Sequence, residues 1–282
     1  MNRFKVRQTI TLQQKELWEN RNLIIGAPMV MAIVIFVVNF LIGSQLGVDE
    51  KTLAIDFSLR WFDGKNPFST NPILTLWSLP FVLVFFFCSA IYLLNSLYQD
   101  RKDMSILFWQ SMPVSNLQTV ISKLVTVIVV SPALTALIMG LLYSLMIVFL
   151  AFSGLGTETQ VGFLYMLTAA WINVVVVYFF LATSALWLLP LMGWLLLFSS
   201  FARRAPMLWA VGVYFAIGFA EEFIFSTQFV SNWAQTRFDP DNFLIIDFTG
   251  IADRFFSYEM FVGCIVGSLL ITGAVYMRRY VD

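Results

Sequence analysis

Six stretches of this sequence carry no charged residue at all: 22–48, 66–99, 124–157, 159–202, 205–220 and 260–277. A helix needs roughly 17–25 residues to cross about 30 Å of hydrocarbon, and each stretch is near or above that length. Composition points the same way, with 59% hydrophobic and 12% charged residues and a mean hydropathy of +0.80, outside the range of soluble domains. Lipid is therefore part of the solvent this chain needs. Closed β-barrels also satisfy every backbone group in lipid, but they alternate in segments of about ten residues and lack long apolar runs. The expected fold is all-α, a polytopic membrane helical bundle.

Several function classes drop out on composition. Formal net charge is zero and there is no basic tail, so nothing points to nucleic acid. The chain has no histidine, which rules out histidine-dependent metal sites and Ser/His catalysis. Cys88 and Cys264 lie in apolar runs and read as small hydrophobes. No enzymatic activity or cofactor is expected on this chain. Its amino terminus does not read as a cleavable signal, because about twenty mostly polar residues precede the first apolar run.

Residues 3–21 hold Arg3, Lys5, Arg7, Lys15 and Arg21, with Val6, Ile10, Leu17 and Trp18 roughly on one helical face. This predicts an interfacial helix on the membrane surface, a loosely ordered basic leader being the alternative. Spans are expected near 23–43, 73–97, 120–150, 163–189, 205–225 and 259–277, in a single domain covering 1–282. The fourth is the difficult one: 159–202 is long enough for two spans, and Pro190 interrupts it. With six spans, Arg3, Lys5, Arg7, Lys15, Arg21, Arg101, Lys102, Lys123, Arg203, Arg204, Arg278 and Arg279 share one side, twelve against five. Splitting the fourth span reduces the bias to ten against seven. The positive-inside rule therefore favours six spans with both termini cytoplasmic, although one kinked span and two spans both remain open for 163–202. Two outside segments follow, 44–72 with its turn signals and 226–258 with short helices.

The segment with most mechanistic content is 100–115, on the cytoplasmic side. It opens on Asp100, Arg101, Lys102 and Asp103, runs through the large apolar side chains Phe108 and Trp109, and stops at Pro113. Ser115 with Gln118 then forms a capping-box pattern that starts the third span. A short helix held between two long spans and exposing Phe108 and Trp109 suits docking into another protein's groove, and anchoring at headgroup level is the competing reading. The charges of Asp100, Arg101 and Asp103 are expected to act as ordinary exposed pairs.

The layout of basic leader, six spans and a charged stretch ending in Ser-Met-Pro-Val-Ser resembles the type-2 ABC exporter permeases. The local pattern is carried by Leu97, Asp100, Arg101, Ser105, Ile106, Leu107, Phe108, Trp109, Ser111, Pro113, Val114 and Ser115. Similarity continues through Leu189-Pro190, Ala202 to Pro206 and Trp209-Ala210, so it covers most of the chain. The resemblance implies that 100–115 is a coupling helix seated on a separate ATPase subunit, with Asp100, Arg101, Asp103, Phe108, Trp109 and Pro113 as ATPase-coupling residues. It further implies two ATPase copies that bind ATP and Mg, a second permease chain in a homo- or heterodimer, export as the direction, and a bacterial cytoplasmic (inner) membrane. The sequence itself lacks a Gly-x-x-x-x-Gly-Lys-[Ser/Thr] phosphate loop, so energy would have to come from a partner.

Glu221 and Glu222 are the one acidic pair embedded between apolar runs. They resemble the paired glutamates of intramembrane CAAX-type proteases, but the arginine that pattern needs four residues on is Ser226 here. They are either markers of the outer end of the fifth span or part of a cargo exit path, where one of the two would matter more. Small-residue stripes, Ala136/Gly140/Ser144, Gly212/Ala216/Ala220 and Gly263/Gly267, allow close helix approach within one chain or between two. A secondary transporter or channel working without an ATPase is the alternative function. It is disfavoured by the near absence of ionisable residues deep in the spans.

Overall fold

Inside hydrocarbon a backbone amide has no water to bond, so an apolar run closes its hydrogen bonds on itself as a helix. The computed structural model describes residues 2–60, 72–102, 115–153, 161–202, 204–224, 226–239 and 248–278, and every regular element among them is helical. In chain order these are α1 (Asn2–Glu19), α2 (Ala27–Gln45), α3 (Val48–Arg60), α4 (Pro72–Lys102), α5 (Asn116–Val125) and α6 (Ser131–Ser153). Then follow α7 (Phe163–Trp187), α8 (Leu189–Phe201), α9 (Pro206–Phe223), α10 (Phe229–Phe238), α11 (Phe248–Phe255) and α12 (Tyr258–Met277).

Five of these stretches are long and apolar enough to cross a membrane: Asn22–Gln45, Ile73–Lys102, Asn116–Phe152, Phe163–Trp187 and Tyr258–Met277. This is a membrane protein of all-helical class. The expected fifth span, α9, is 18 residues long and is not among the five. Glu221 and Glu222 in its last turn lower its apolarity, and only Pro206 and Ala210 of it are buried.

Three of the prolines sit where the long rods deform, whereas Pro80 lies within the continuous helix α4. Asn22–Gly26 and Thr126–Val130 are π-helical, and each ends just ahead of a proline, Pro28 and Pro132. A proline has no N–H to give and its ring crowds the carbonyl four residues back. The wider turn absorbs both effects, with Ala27 N–H reaching Asn22 O and Ser131 N–H reaching Thr126 O, five residues back. Pro190 breaks the ladder between α7 and α8 at Leu188, whose φ and ψ are −89° and 16°. Bonding continues on both sides of the break, from Leu188 N–H to Ser184 O at 2.9 Å and from Met192 N–H to Leu188 O at 2.9 Å. Beyond it α8 packs along α12 and α4, and it meets α7 only around the junction. Residues 163–201 therefore follow one kinked course and do not fold back into a hairpin.

Close helix approach sets the packing. A β-carbon at Gly193 would lie 2.8 Å from the Gly267 carbonyl oxygen, and one at Gly267 would lie 2.8 Å from the Leu189 carbonyl carbon. Gly267 of the α12 pair thus serves a contact inside the chain, between α12 and α8. Gly140 on α6 is used the same way, against Trp171 and Val174 of α7. Gly212 on α9 meets nothing within 4 Å, so that position of its stripe has no close neighbour among the described residues. Along α7 a stripe of Met166, Ala170, Asn173, Val177, Phe180 and Ser184 is buried at alternating steps of four and three, the seam of a packed helix pair.

The two segments expected outside both contain helices, α3 in the first and α10 and α11 in the second. The turn signals at 63–67 fall outside the described residues.

Candidate functional site at the base of residues 103–114

Residue Lys102 closes α4 and Ser115 opens α5, so these two helix ends frame residues 103–114. Asp103, Phe108, Trp109 and Pro113 fall in that segment and lie outside the described residues. Its far edge is fixed by the expected capping box. Gln118 N–H donates to Ser115 Oγ at 3.2 Å and Ser115 N–H to Gln118 Oε1 at 3.0 Å, so two orphan amides of α5 are satisfied reciprocally.

At the near edge the structure corrects the expectation of exposed charges. Asp100 is buried, 7% exposed, and sits in a four-charge cluster drawn from four separate helices. Lys123 Nζ of α5 lies 3.6 Å from Asp100 Oδ2 and 3.0 Å from Glu16 Oε1 of α1. Arg278 Nη2, just past α12, lies 3.4 Å from the same Asp100 oxygen. Tyr92 of α4 donates its hydroxyl to Glu16 Oε2 at 2.6 Å. Among the described residues two carboxylates and two cations balance, which is what burial of charge at 1–7% exposure requires. Burial lowers the pKa of Arg278, and Asp100 beside it pulls the other way.

Neutral hydrogen bonds extend the cluster. Gln13 Nε2 donates to Ser122 O at 2.9 Å, and its Oε1 accepts from Thr126 Oγ1 at 2.9 Å, so α1 is tied to the start of the third span at two heights. The face of α1 turned to the protein is Leu12, Gln13 and Glu16, while Ile10 and Trp18 stay exposed at 53% and 72%.

Arg101 also turns inward. Its Nη2 donates to the carbonyls of Ser199 and Ala202, 2.8 Å each, and so caps the C-terminal end of α8, where carbonyls lack partners and the helix dipole is negative. Ser199 Oγ in turn accepts from the backbone N–H groups of Leu97 and Tyr98 at 3.1 Å, which locks α8 to α4. Neither Asp100 nor Arg101 therefore offers its charge as an exposed pair.

The acidic pair on α9 is split by the structure. Glu221 accepts from Val230 N–H at 2.8 Å and Ser231 N–H at 3.2 Å, acting as the N-terminal cap of α10 from outside that helix. Glu222 is exposed.

A second group of buried cations lies where α7 ends. Arg237 of α10 donates to the carbonyls of Trp187 and Glu259, 2.7 Å each, and is stacked between the rings of Trp187 at 4.4 Å and Trp233 at 4.7 Å. Gly263 makes room for it, since a β-carbon there would lie 2.5 Å from Arg237 Nη1. Arg254 of α11 donates to Thr183 Oγ1 and Ser184 Oγ at 3.0 and 2.8 Å, and burial lowers its pKa to about 10, still charged at neutral pH. Both guanidiniums face the negative end of the broken helix α7.

Sequence reasoning named Asp100 but missed Glu16, Tyr92 and Arg278 as its companions, and it used Lys123 only for topology. One signal was available: Lys123 is the sole charged residue between Asp103 and Glu158, and a lone cation inside a span needs a partner. Among the described residues no three His, Cys, Asp or Glu side chains converge as around a metal ion. No family model, curated protein or solved structure matches the chain.

Proposed function

We propose that this chain is the membrane-spanning permease subunit of an ATP-driven exporter, moving an amphipathic or hydrophobic cargo out of the cytoplasm by means of a separate ATPase. The observation that carries this reading is the framing of 103–114. The segment bearing Phe108 and Trp109 connects two helices that are cross-braced by Asp100 and Lys123 and anchored to α1, α8 and α12. A docking helix that must deliver force needs a stiff mount, whereas a mere headgroup anchor does not.

In this reading the α9 helix is the fifth of six crossings, both termini lie in the cytoplasm, and the membrane is a bacterial inner membrane. Two copies of the ATPase bind ATP and Mg, and a second permease chain, identical or related, completes the transporter. This chain performs no hydrolysis itself. Its resemblance to type-2 ABC exporter permeases through 97–115 supports the assignment, and the inward-facing Arg101 and Asp100 become braces of the coupling segment while Phe108 and Trp109 make the contact.

The test is Phe108→Ala with Trp109→Ala. Truncating such anchors typically costs about 2 kcal/mol or more, roughly thirty-fold in affinity. The expected result is a chain that still inserts in the membrane but no longer copurifies with the ATPase or loses ATP-driven transport. Unchanged copurification and transport would favour a headgroup anchor, and with it a transporter or channel that works without an ATPase.

A further inference from the structure

The four-charge cluster is placed as a transmission element. Its members come from the first helix, the two helices that frame 103–114, and the residue that ends the last span: Glu16, Asp100, Lys123 and Arg278. Each pair shares a member with the next. Lys123 joins Glu16 to Asp100, and Asp100 joins Lys123 to Arg278, so the contacts form a chain from α1 to α12 that passes through the mount of 103–114. All four residues are at most 7% exposed, hence neither salt nor water screens them as it would at a surface. Removing any one charge strands an opposite charge in a buried site, which is far more costly than removing a balanced pair.

We propose that these residues form one charge-balanced joint that makes α1, the ends of α4 and α5 and the last turn of α12 move as a single body. A displacement of 103–114 is thereby passed to both ends of the chain at once. Glu16, Lys123 and Arg278 are positioning residues, touching neither ATP nor cargo. The inference rests on the reading of 103–114 as a docking segment only for the source of the force; the joint itself is a property of the isolated chain.

The first test uses the chain alone in lipid nanodiscs, followed by amide hydrogen exchange. Lys123→Gln removes the cation that joins Glu16 to Asp100. Exchange is expected to speed up about tenfold or more in α1 and also in residues 274–278, to which Asp100 links Lys123. Adding Glu16→Gln leaves the balanced pair Asp100 and Arg278, so 274–278 should recover protection while α1 stays loose. Unchanged exchange at 274–278 in Lys123→Gln would overturn the joint, since the pairs would then be independent. The second test adds the copurified ATPase, with its hydrolysis blocked by mutation, and MgATP. In the wild type MgATP should alter exchange in α1; in the Lys123→Gln/Glu16→Gln chain the ATPase should still bind but the change at α1 should be lost. A wild-type response at α1 in that variant would also overturn the proposal. If the wild-type chain copurifies no ATPase, the docking reading fails, and the first test still decides the joint.

Discussion

At the scale of single residues, the charges that looked alike in the sequence have different surroundings. Asp100 and Arg101 are adjacent, yet one closes a buried ionic cluster and the other caps a helix by bonding two carbonyls. Glu221 and Glu222 are adjacent too, and about 100° of helical rotation separates their directions. Glu221 reaches the first turn of α10, and Glu222 is left exposed. Glu221→Gln should lower thermal stability by about 1 kcal/mol through the weakened cap, with transport reduced only as far as stability is. Glu222→Gln should leave stability unchanged, and a selective loss of transport there would make it the exit-path residue of the pair. Thermal unfolding in detergent and an export assay on both variants separate these outcomes, and an unchanged melting curve for Glu221→Gln would remove its capping role.

Between elements, glycine decides how near two helices come. Lipid tails are as apolar as leucine, so helix association in a membrane depends on close packing more than on hydrophobic transfer. Gly267 and Gly193 bring α12 and α8 into backbone contact just below the Pro190 break. Gly267→Ala inserts a methyl group 2.8 Å from the Leu189 carbonyl carbon and should cost about 1–3 kcal/mol. Gly212→Ala meets open space on α9 and should be neutral or stabilising by about 0.5–1 kcal/mol, from the entropy glycine loses in a helix. Melting temperatures of the two variants compare them directly, and equal losses would mean that α9 is packed at Gly212 in the membrane.

For the whole molecule, the proposed six-span arrangement puts the charge cluster on the cytoplasmic side and the arginine pair, Arg237 and Arg254, toward the outside. The kinked course of 163–201 agrees with this arrangement, because a hairpin there would have inverted everything after it. A cysteine introduced at Arg204, with Cys88 and Cys264 replaced by serine, should react with an impermeant maleimide only from the cytoplasmic side. One introduced at Gly64 should react only from outside. Labelling of both from one side would exclude the six-span arrangement.

Helix type, the membrane setting and the break at Pro190 follow from the sequence alone. Uncharged runs of span length leave the backbone no alternative to helix in lipid, and Pro190 interrupts the longest of them; Pro80, by contrast, lies inside the continuous helix α4. The Ser115/Gln118 cap was equally legible, being a local pattern closed by residues three apart. The grouping of Glu16, Tyr92, Asp100, Lys123 and Arg278 was not. Bonded partners among them lie as many as 178 positions apart, and their meeting depends on which helices become neighbours and how each is rotated. The use of the small-residue stripes was undecided for the same reason: GxxxG permits close approach without naming the partner. Periodicity and composition act along a helix, so the sequence determines what each helix is. Only packing of the whole bundle decides what each helix touches, and therefore which buried charges find their counter-ions.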